Sequence, residues 1–393
     1  MNQFTVEIVS NKKQFEEVKD EWLIFFNRVK SHTLYQAPEY LAPLLQSLSA
    51  EKSAYFLILT REYTDRPRQV VAIAPFVIQQ DKFAVKFGIF SLFKIQTKRA
   101  LLLGNDILVA PGEEYNSIVG SVLSTIREAG VNLIYFDCLC QETQILHILS
   151  TGNMYNFSDY QFIEKDVQPL RGISFRNGFD DYLSEMSKKT RYNLKRSVNQ
   201  FEKKTGSPAR MVVCREAGQV PEFFRNLDTV FRQSWQAAAF GYQQRNTYSA
   251  LEQHKSLAKS GIFRSYTLYK DDEPIAFIRG YQYERVYYFE EIGFVKAERD
   301  LEPGTVLNFL AIKDMFSHDK PDFLNFGYGE NDYKRKLGNF ETQASEALLV
   351  VSGSVVYWFV KVQSLLSVVY SLLRKLVIRL GVDHLIRKLI KRR

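Results

Sequence analysis

The order of the predicted helices and strands occurs twice along the 393-residue chain. Each half begins with helical sequence and continues with apolar, strand-like runs separated by polar turns. A Pro-Gly turn, a helix and a last strand then follow. The predicted strands are 55–60, 70–78 and 132–139 in the first half, and 263–269, 275–283, 286–294 and 322–327 in the second. The helices after the Pro-Gly turns are predicted at 115–129 and 305–316. This order predicts an α/β protein that arose by duplication of one unit.

Composition agrees with a folded chain of two domains. Apolar residues make up 46% of the chain and aromatic residues 14%, which is enough for large cores and excludes disorder. The three cysteines form no CxxC pair, so we expect no disulfide framework. The five histidines are scattered in the sequence, and we therefore expect no metal site. The first residues have no signal-like region, which predicts a cytoplasmic body.

Two segments of the second half contain recognisable motifs. The first, residues 182–206, has the pattern Ser-Lys-Lys-Thr-Arg-Tyr-Asn-Leu-Lys-Arg, and the second, residues 323–338, has Asn-Phe-Gly-Tyr-Gly-Glu-Asn-Asp-Tyr-Lys. Together they resemble the CelD-like tandem GNAT acyltransferases, which are related to the Fem-type peptidoglycan aminoacyl transferases. Residues 70–77 and 104–112 resemble the same family more weakly. The resemblance covers roughly residues 1–345. This chain departs from the family pattern in having Asn325 before Phe326 and in having fewer glycines before the second-unit helix.

The resemblance implies two tandem GNAT-like units with mixed, largely antiparallel sheets flanked by helices. We expect an N-terminal unit at 1–170, a donor-binding unit at 171–350 and a tail of C-terminal amphipathic helices at 351–393. It also implies that acetyl-CoA or a longer acyl-CoA is the co-substrate and that an amine acceptor binds between the units. The turn at the start of the second-unit helix would bind the CoA pyrophosphate through helix N-terminal amides. The predicted donor-binding residues are Pro303, Gly304, Thr305 and Val306.

Acyl transfer to an amine needs a base for the ammonium and an acid for the leaving thiolate. Glu290 and Glu291 are candidate bases, and as neighbours on a strand they are expected to face opposite sides. Tyr333 is the candidate acid, and Lys334 could stabilise negative charge. The candidate acceptor-binding residues are Arg191, Asn193, Trp235, Tyr242 and Glu330. Each of these groups also fits a purely structural interpretation, as a solvated loop, a basic surface helix or buried aromatic residues.

The tail differs from the rest of the chain in its charge. Residues 361–393 contain nine basic residues and one acidic residue, which accounts for the whole net charge of +8. Apolar residues recur at helical spacing from Val355, and Leu385, Ile386, Leu389 and Ile390 could form a second short helix. Such a tail predicts contact with an anionic membrane surface and a peripheral location at the inner face of the plasma membrane. A helix packed on the body, a membrane-spanning helix and a nucleic-acid-binding tail are the alternatives.

Three functions remain open from the sequence. The first is an acyl-CoA-dependent N-acyltransferase that acts on an amino sugar or a lipid-linked precursor in envelope or polysaccharide synthesis. The second is a Fem-like transferase that uses aminoacyl-tRNA, although the electrically neutral body makes a nucleic-acid partner unexpected outside this alternative. The third is a non-catalytic GNAT-like module that binds a membrane or a partner.

Overall fold

The computed structural model describes residues 4–30, 32–63, 67–88, 90–152 and 159–379. The strands of the first half are β1 (Thr5–Val9), β2 (Lys52–Arg61), β3 (Gln69–Phe87), β4 (Phe90–Leu102), β5 (Leu108–Val109) and β6 (Leu133–Cys140). Its helices are α1 (Lys12–Arg28), α2 (Pro38–Ser47), α3 (Tyr115–Glu128) and α4 (Gln144–Thr151).

The remaining strands are β7 (Tyr160–Ser174), β8 (Arg210–Cys214), β9 (Ser265–Lys270), β10 (Glu273–Tyr283), β11 (Val286–Phe294), β12 (Phe323–Tyr328) and β13 (Phe340–Val351). The remaining helices are α5 (Phe179–Glu185), α6 (Lys188–Thr205), α7 (Val220–Arg232), α8 (Trp235–Phe240), α9 (Tyr248–Lys259), α10 (Pro303–Ser317), α11 (Asp332–Leu337) and α12 (Val355–Arg379).

The described strands form one sheet that contains the same pattern twice. Its order is β1-β2-β3-β4-β6-β13-β7-β12-β11-β10-β9-β8, with the short β5 beside β3. In the first half β1 to β4 pair antiparallel, and β6 then lies parallel to β4. In the second half β8 to β11 pair antiparallel, and β12 then lies parallel to β11. The predicted fold class of two GNAT-like α/β units is confirmed.

The two units exchange their last strands. β7 follows the first unit in the chain but pairs with β12 of the second unit. β13 follows the second unit but pairs with β6 of the first. β7 and β13 also pair with each other, so the exchange joins the two half-sheets into one. The predicted boundary at residue 170 falls inside β7, and the domain limits stay predictions.

Alternation along the strands places apolar residues on both faces of the first half-sheet. Phe56 and Ile58 pack with Trp22 under α1, whereas Leu57 and Leu59 pack on the opposite face in the cluster that includes α3. In the second unit one large core joins α7, α10 and β9 to β12. The helices therefore cover both faces of the sheet and leave the wedge between β11 and β12 as a place for a ligand.

The tail begins as a single helix. α12 packs on the hairpin of β3 and β4, and Val356 and Val360 contribute to a small core with Leu348 of β13. By length and composition, Val355–Leu373 could cross a membrane, and 11% of it is buried. The second predicted tail helix, with Leu385 and Ile386, lies outside the described residues.

Candidate active site

A cavity of about 470 Å³ opens where β11 and β12 separate. The two strands pair only at Val286–Tyr288 and Phe323–Asn325, after which β11 continues to Phe294 without β12 beside it. Side chains from α8, β11, α10 and the loop before α11 surround the space. The lining residues are Trp235, Gln236, Ile292, Phe294, Arg299, Glu302, Pro303, Gly304, Thr305, Asn308, Asn331 and Tyr333.

The first turn of α10 forms one end of the cavity. Pro303, Gly304 and Thr305 line it, as expected for a site that receives an anionic group at a helix N-terminus. Within the described part of the chain, the Gly304 amide has no hydrogen-bond partner. Val306 does not line the cavity: its side chain is 0% exposed in the core, and its amide bonds to the Glu302 carbonyl at 3.1 Å.

Two amide side chains in the cavity lining carry buried oxygens that have no hydrogen-bond partner among the described residues. Asn308 is 2% exposed, and its Nδ2 donates to the Gly304 carbonyl at 2.9 Å, while its Oδ1 is one of these oxygens. Gln236 donates through Nε2 to the Ile292 carbonyl at 2.9 Å, and its buried Oε1 is the other. A buried acceptor without a donor is costly, so a ligand N–H group that reached either oxygen would be bound favourably.

Tyr333 lies on the wall of the cavity between two phenylalanines. Its ring centroid is 5.9 Å from that of Phe289 and 5.7 Å from that of Phe326. Burial raises the pKa of the Tyr333 hydroxyl well above its ordinary value. The group therefore stays protonated at neutral pH and can donate a proton or a hydrogen bond to a ligand in the cavity.

Lys334 and Glu330 lie outside the lining of this cavity. The buried Lys334 ammonium donates to the carbonyls of Gly327 and Tyr328, each at 3.0 Å, and so holds the loop that follows β12. Burial lowers the pKa of Lys334 to about 8. The Glu330 carboxylate pairs with Arg171 of β7 at 3.0 Å.

A β-bulge changes the expected arrangement of Glu290 and Glu291. Arg279 is opposite Glu291 and Gly280 is opposite Phe289, so Glu290 is the extra residue of β11. Because of this bulge the two glutamates do not simply alternate, and both act electrostatically on Arg279 and Tyr281. The expectation that they face opposite sides of the strand assumed regular pairing and stays a prediction.

The two glutamates differ in their partners. Glu291 forms ion pairs with Arg279 and Arg245, each at 3.3 Å, and so is already neutralised. Exposed Glu290 instead accepts a hydrogen bond from the hydroxyl of Tyr35, which precedes α2 in the first unit. Burial, and then Glu290, raises the pKa of Tyr35 well above its ordinary value. Glu290 is thus the glutamate that the first unit orients.

Behind the glutamates lies a hydrogen-bonded network of polar side chains. Arg279 donates to the Tyr281 hydroxyl at 3.1 Å, and this hydroxyl lies 2.8 Å from His254 Nε2. His254 Nδ1 lies 2.6 Å from the Ala250 carbonyl, which can only accept, so Nδ1 carries the proton. Burial lowers the pKa of His254 to about 3, and the neutral ring accepts from Tyr281.

The predicted acceptor-binding residues lie in different parts of the structure. Of these, only Trp235 lines the cavity. Arg191 makes a long contact of 3.5 Å with the Leu183 carbonyl, and the Asn193 carbonyl accepts from Ser197 within α6. The Tyr242 hydroxyl donates to Asp228 at 2.8 Å. The structure thus brings Trp235, Pro303, Gly304, Thr305 and Tyr333 together and leaves Arg191, Asn193 and Tyr242 outside the lining.

Helix α6 places positive charge beside the mouth of the cavity. Ser197 donates to the Glu302 carboxylate at 2.6 Å, and Lys204 donates to the Asp300 carbonyl at 2.7 Å, so α6 lies against the start of α10. Arg196 and Lys195 line a shallow surface groove on the same helix. Arg299, which lines the cavity, forms no ion pair with a described residue.

Sequence reasoning missed Gln236, Asn308, Arg279 and Tyr35. One sequence signal marks Asn308, since it is a polar residue within the apolar run Val306–Ile312 of α10, four residues after Gly304. No sequence signal marks Tyr35, because it contacts Glu290, which lies 255 residues away in the chain. Within the described ranges, no group of three or more His, Cys, Asp or Glu side chains could hold a metal ion.

Comparisons with known proteins agree with this geometry. Residues 188–335 match the family model described as Acetyltransferase (GNAT) domain. Among curated proteins, none matches the chain by sequence. The structure of FemX is similar at a TM-score of 0.58 and 10% identity, covering 86% of this chain and 97% of that one.

Two further solved structures share the fold. A tandem GNAT protein from the clavulanic acid biosynthesis pathway aligns at a TM-score of 0.52 and 10% identity, covering 89% of this chain and 99% of that one. The C-terminal domain of a putative lysylphosphatidylglycerol synthetase from Agrobacterium fabrum aligns at 0.50 and 14% identity, covering 91% and 98%. At these identities the likeness concerns the fold. The chain therefore carries a GNAT acetyltransferase domain in its second half, within the tandem GNAT fold related to that of the Fem proteins.

Proposed function

We propose that this protein is an N-acyltransferase that moves an acyl group from acyl-CoA to an amine, which is an amino sugar or a lipid-linked precursor of the bacterial envelope or its polysaccharides. The observation that carries the proposal is the cavity between β11 and β12, which ends at the first turn of α10. A helix N-terminus suits a pyrophosphate, and the narrow, partly apolar wedge suits the extended arm that joins this group to the thioester.

The unpartnered oxygens of the cavity support this donor. The pantetheine arm of CoA contains two amide N–H groups, and Asn308 Oδ1 and Gln236 Oε1 are two buried acceptors without a donor in the described parts of the chain. Arg299 and the basic residues of α6 would neutralise the phosphates at the mouth. Gly304 would allow the closest approach of a phosphate to the α10 backbone.

Tyr333, which lines the cavity, and Glu290, which lies outside its lining, have complementary roles in this proposal. Glu290 removes a proton from the acceptor ammonium, directly or through water, and the neutral amine then attacks the thioester carbonyl. The C–N bond forms, the C–S bond breaks, and the thiolate takes a proton from Tyr333, which is reprotonated by the second proton that the attacking nitrogen loses. Tyr333 suits this task because it is protonated and faces the cavity. Lys334 has a positioning role, since its bonds to Gly327 and Tyr328 fix α11, which carries Tyr333, to the end of β12.

A second candidate function uses aminoacyl-tRNA as the donor. The exposed basic residues of α6 favour it, because they form a positive surface beside the cavity mouth that could contact a phosphate backbone. FemX, which shares the fold, supplies the analogy for this candidate. The acyl-CoA proposal explains the buried amide oxygens, which lie too deep for contacts to a nucleic-acid backbone, and we therefore prefer it.

Thermal stabilisation by candidate donors tests the two proposals against each other. We expect CoA and acetyl-CoA, or a longer acyl-CoA, to raise the melting temperature, whereas an equal concentration of ADP should have a smaller effect. Stabilisation by aminoacyl-tRNA with no effect of any CoA compound would instead favour the second candidate. An enzyme that works on a lipid-linked acceptor would lie at the inner face of the plasma membrane, with residues 355–393 against anionic lipid.

A further inference from the structure

Beyond the proposed catalytic function, the structure contains a second apolar element beside the tail helix. β3 and β4 continue past their neighbours in the sheet, since β3 pairs with β2 only as far as Gln79 and β4 pairs with β6 only from Arg99. Residues 80–88 and 90–98 therefore continue as a two-stranded ribbon. The ribbon lies over the sheet, since Phe83 and Ile95 pack with Leu348 of β13.

Helix α12 lies along this ribbon. The Phe359 and Phe93 ring centroids are 5.2 Å apart, and those of Tyr370 and Phe87 are 5.5 Å apart. The backbone amide of Lys86 donates to the Gln363 side chain at 2.6 Å. The ribbon and α12 thus form one packed unit, and the inner side of the helix is occupied.

The outer side of α12 carries an uncovered apolar stripe. Its members are spaced three and four residues apart and so lie on one face of the helix. They are Val355, Trp358, Val362, Leu365, Val369 and Leu372, and their exposed fractions range from 40% for Val369 to 67% for Val355. The ribbon tip adds Phe90, Leu92 and Phe93, of which Phe90 is 57% exposed. Such a patch marks an interaction surface.

Charge identifies the partner of this surface. α12 contains no acidic residue, and Lys82, Lys86 and Lys94 are exposed on the ribbon. The whole net charge of +8 belongs to residues 361–393. A second copy of the chain would bring the same positive charge against itself, whereas anionic lipid is complementary. Trp358 suits the level of lipid headgroups, where its ring can be half buried.

We propose that the ribbon tip and the outer stripe of α12 insert together into the surface of an anionic membrane, with the helix parallel to the membrane plane. A spanning orientation of α12 would carry the attached ribbon into the hydrocarbon. In the hydrocarbon, the charged lysines of the ribbon and the unpaired backbone groups along its free edges would have no partners. The in-plane orientation leaves these groups in the headgroup region.

Vesicle co-sedimentation of full-length variants tests the proposal. Leu92→Glu places a charge at the ribbon tip, and Ile24→Glu is the matched control, because Ile24 is a 72% exposed apolar residue of α1 in the first unit. We expect Leu92→Glu to lower the partition coefficient onto vesicles that contain phosphatidylglycerol about tenfold, from the lost burial of one leucine side chain. Leu365→Glu should have a similar effect, and Ile24→Glu should bind like the wild type.

Three results would overturn the proposal. Equal binding of Leu92→Glu and Ile24→Glu would remove the ribbon tip from the contact. Wild-type protein that stays with vesicles through an alkaline carbonate wash would indicate a spanning helix. A lipid-free dimer that Leu92→Glu converts to a monomer would assign the surface to a second copy. Binding to vesicles can be measured without acyl transfer, so failure here is distinct from failure of the proposed function.

Discussion

The hydroxyl of Tyr35 in the first half of the chain donates a hydrogen bond to the carboxylate of Glu290 in the second half. The ring of Tyr35 is itself held between Tyr40 and Tyr288, whose centroids lie 5.4 and 5.5 Å away. The proposed base is thus oriented by a residue from the other unit. This contact would make the first unit part of the catalytic apparatus, even though the donor cavity belongs to the second.

Glu290→Gln tests the base. Because general-base catalysis contributes typically 10²- to 10⁴-fold, we expect turnover to fall by about this factor with an active amine acceptor. The measurement is CoA release under saturating acyl-CoA. Glu273→Gln is the control, since Glu273 is an exposed glutamate on the same sheet. Full activity of Glu290→Gln would exclude Glu290 as the base.

Asn308→Leu tests the donor site. The substitution removes the unpartnered Oδ1 and keeps the branched shape of the side chain, and the loss of one buried hydrogen bond should weaken CoA binding by about 5- to 100-fold. Titration calorimetry gives the dissociation constant. Asn116→Leu in the first unit is a matched control, because Asn116 Oδ1 is also buried without a partner among the residues that the structure describes. Equal affinities of the two variants would argue against the amide contact.

Tyr333→Phe tests the acid. In the proposed mechanism the hydroxyl donates a proton to the departing thiolate and contributes little to acyl-CoA binding. We therefore expect turnover to fall about 10- to 100-fold while KM for acyl-CoA stays constant. Steady-state kinetics separate the two effects. Tyr192→Phe, on the exposed face of α6, should behave as wild type. A change confined to KM in Tyr333→Phe would make this residue a binding group.

Lys334 should give the stability of the protein a specific pH dependence. Its pKa is about 8 in the folded protein against 10.5 for the unfolded chain. Between these values the unfolded chain binds this proton and the folded chain does not, so the free energy of unfolding rises with pH. Relative to Lys334→Met, wild-type protein should therefore become more stable from about pH 8 to 10.

Urea unfolding across this pH range measures the effect as a difference in slope. Lys336→Met, on the same helix with a 60% exposed side chain, serves as the control and should keep the wild-type slope. A slope in Lys334→Met that equals the wild-type slope would show that Lys334 titrates normally.

Local patterns predicted much of the fold. The strand expected at 286–294 coincides with β11, and the helix expected at 305–316 lies within α10, because apolar periodicity and the Pro-Gly turn define both. The helical sequence that begins the second half includes two closely spaced helices, α5 and α6, since Ser187 starts α6 by accepting from the Thr190 amide at 3.1 Å. β7 and β13 were not predicted as a pair, because their partnership depends on contacts far apart in the sequence.

The candidate site was predictable only in part. Gly304 and Tyr333 could be named because a turn before a helix and a familiar motif mark them in the sequence. The bulge at Glu290 and the orientation of Lys334 could not, since both depend on pairing registers and on packing between elements. Tyr333 and Lys334 are adjacent in α11 but have different surroundings. Tyr333 lines the cavity, whereas Lys334 binds the Gly327 carbonyl at the end of β12.

The exchange of β7 and β13 has a consequence for biosynthesis. The edge of β6 is completed only by β13, which is translated about 200 residues later. During translation the nascent first half therefore exposes an open strand edge until residues 340–351 leave the ribosome. The sheet closes at its centre last, by insertion of β13 between β6 and β7. The need for chaperones should therefore be greatest late in synthesis, when the strand edges that pair with β13 are still exposed in both halves.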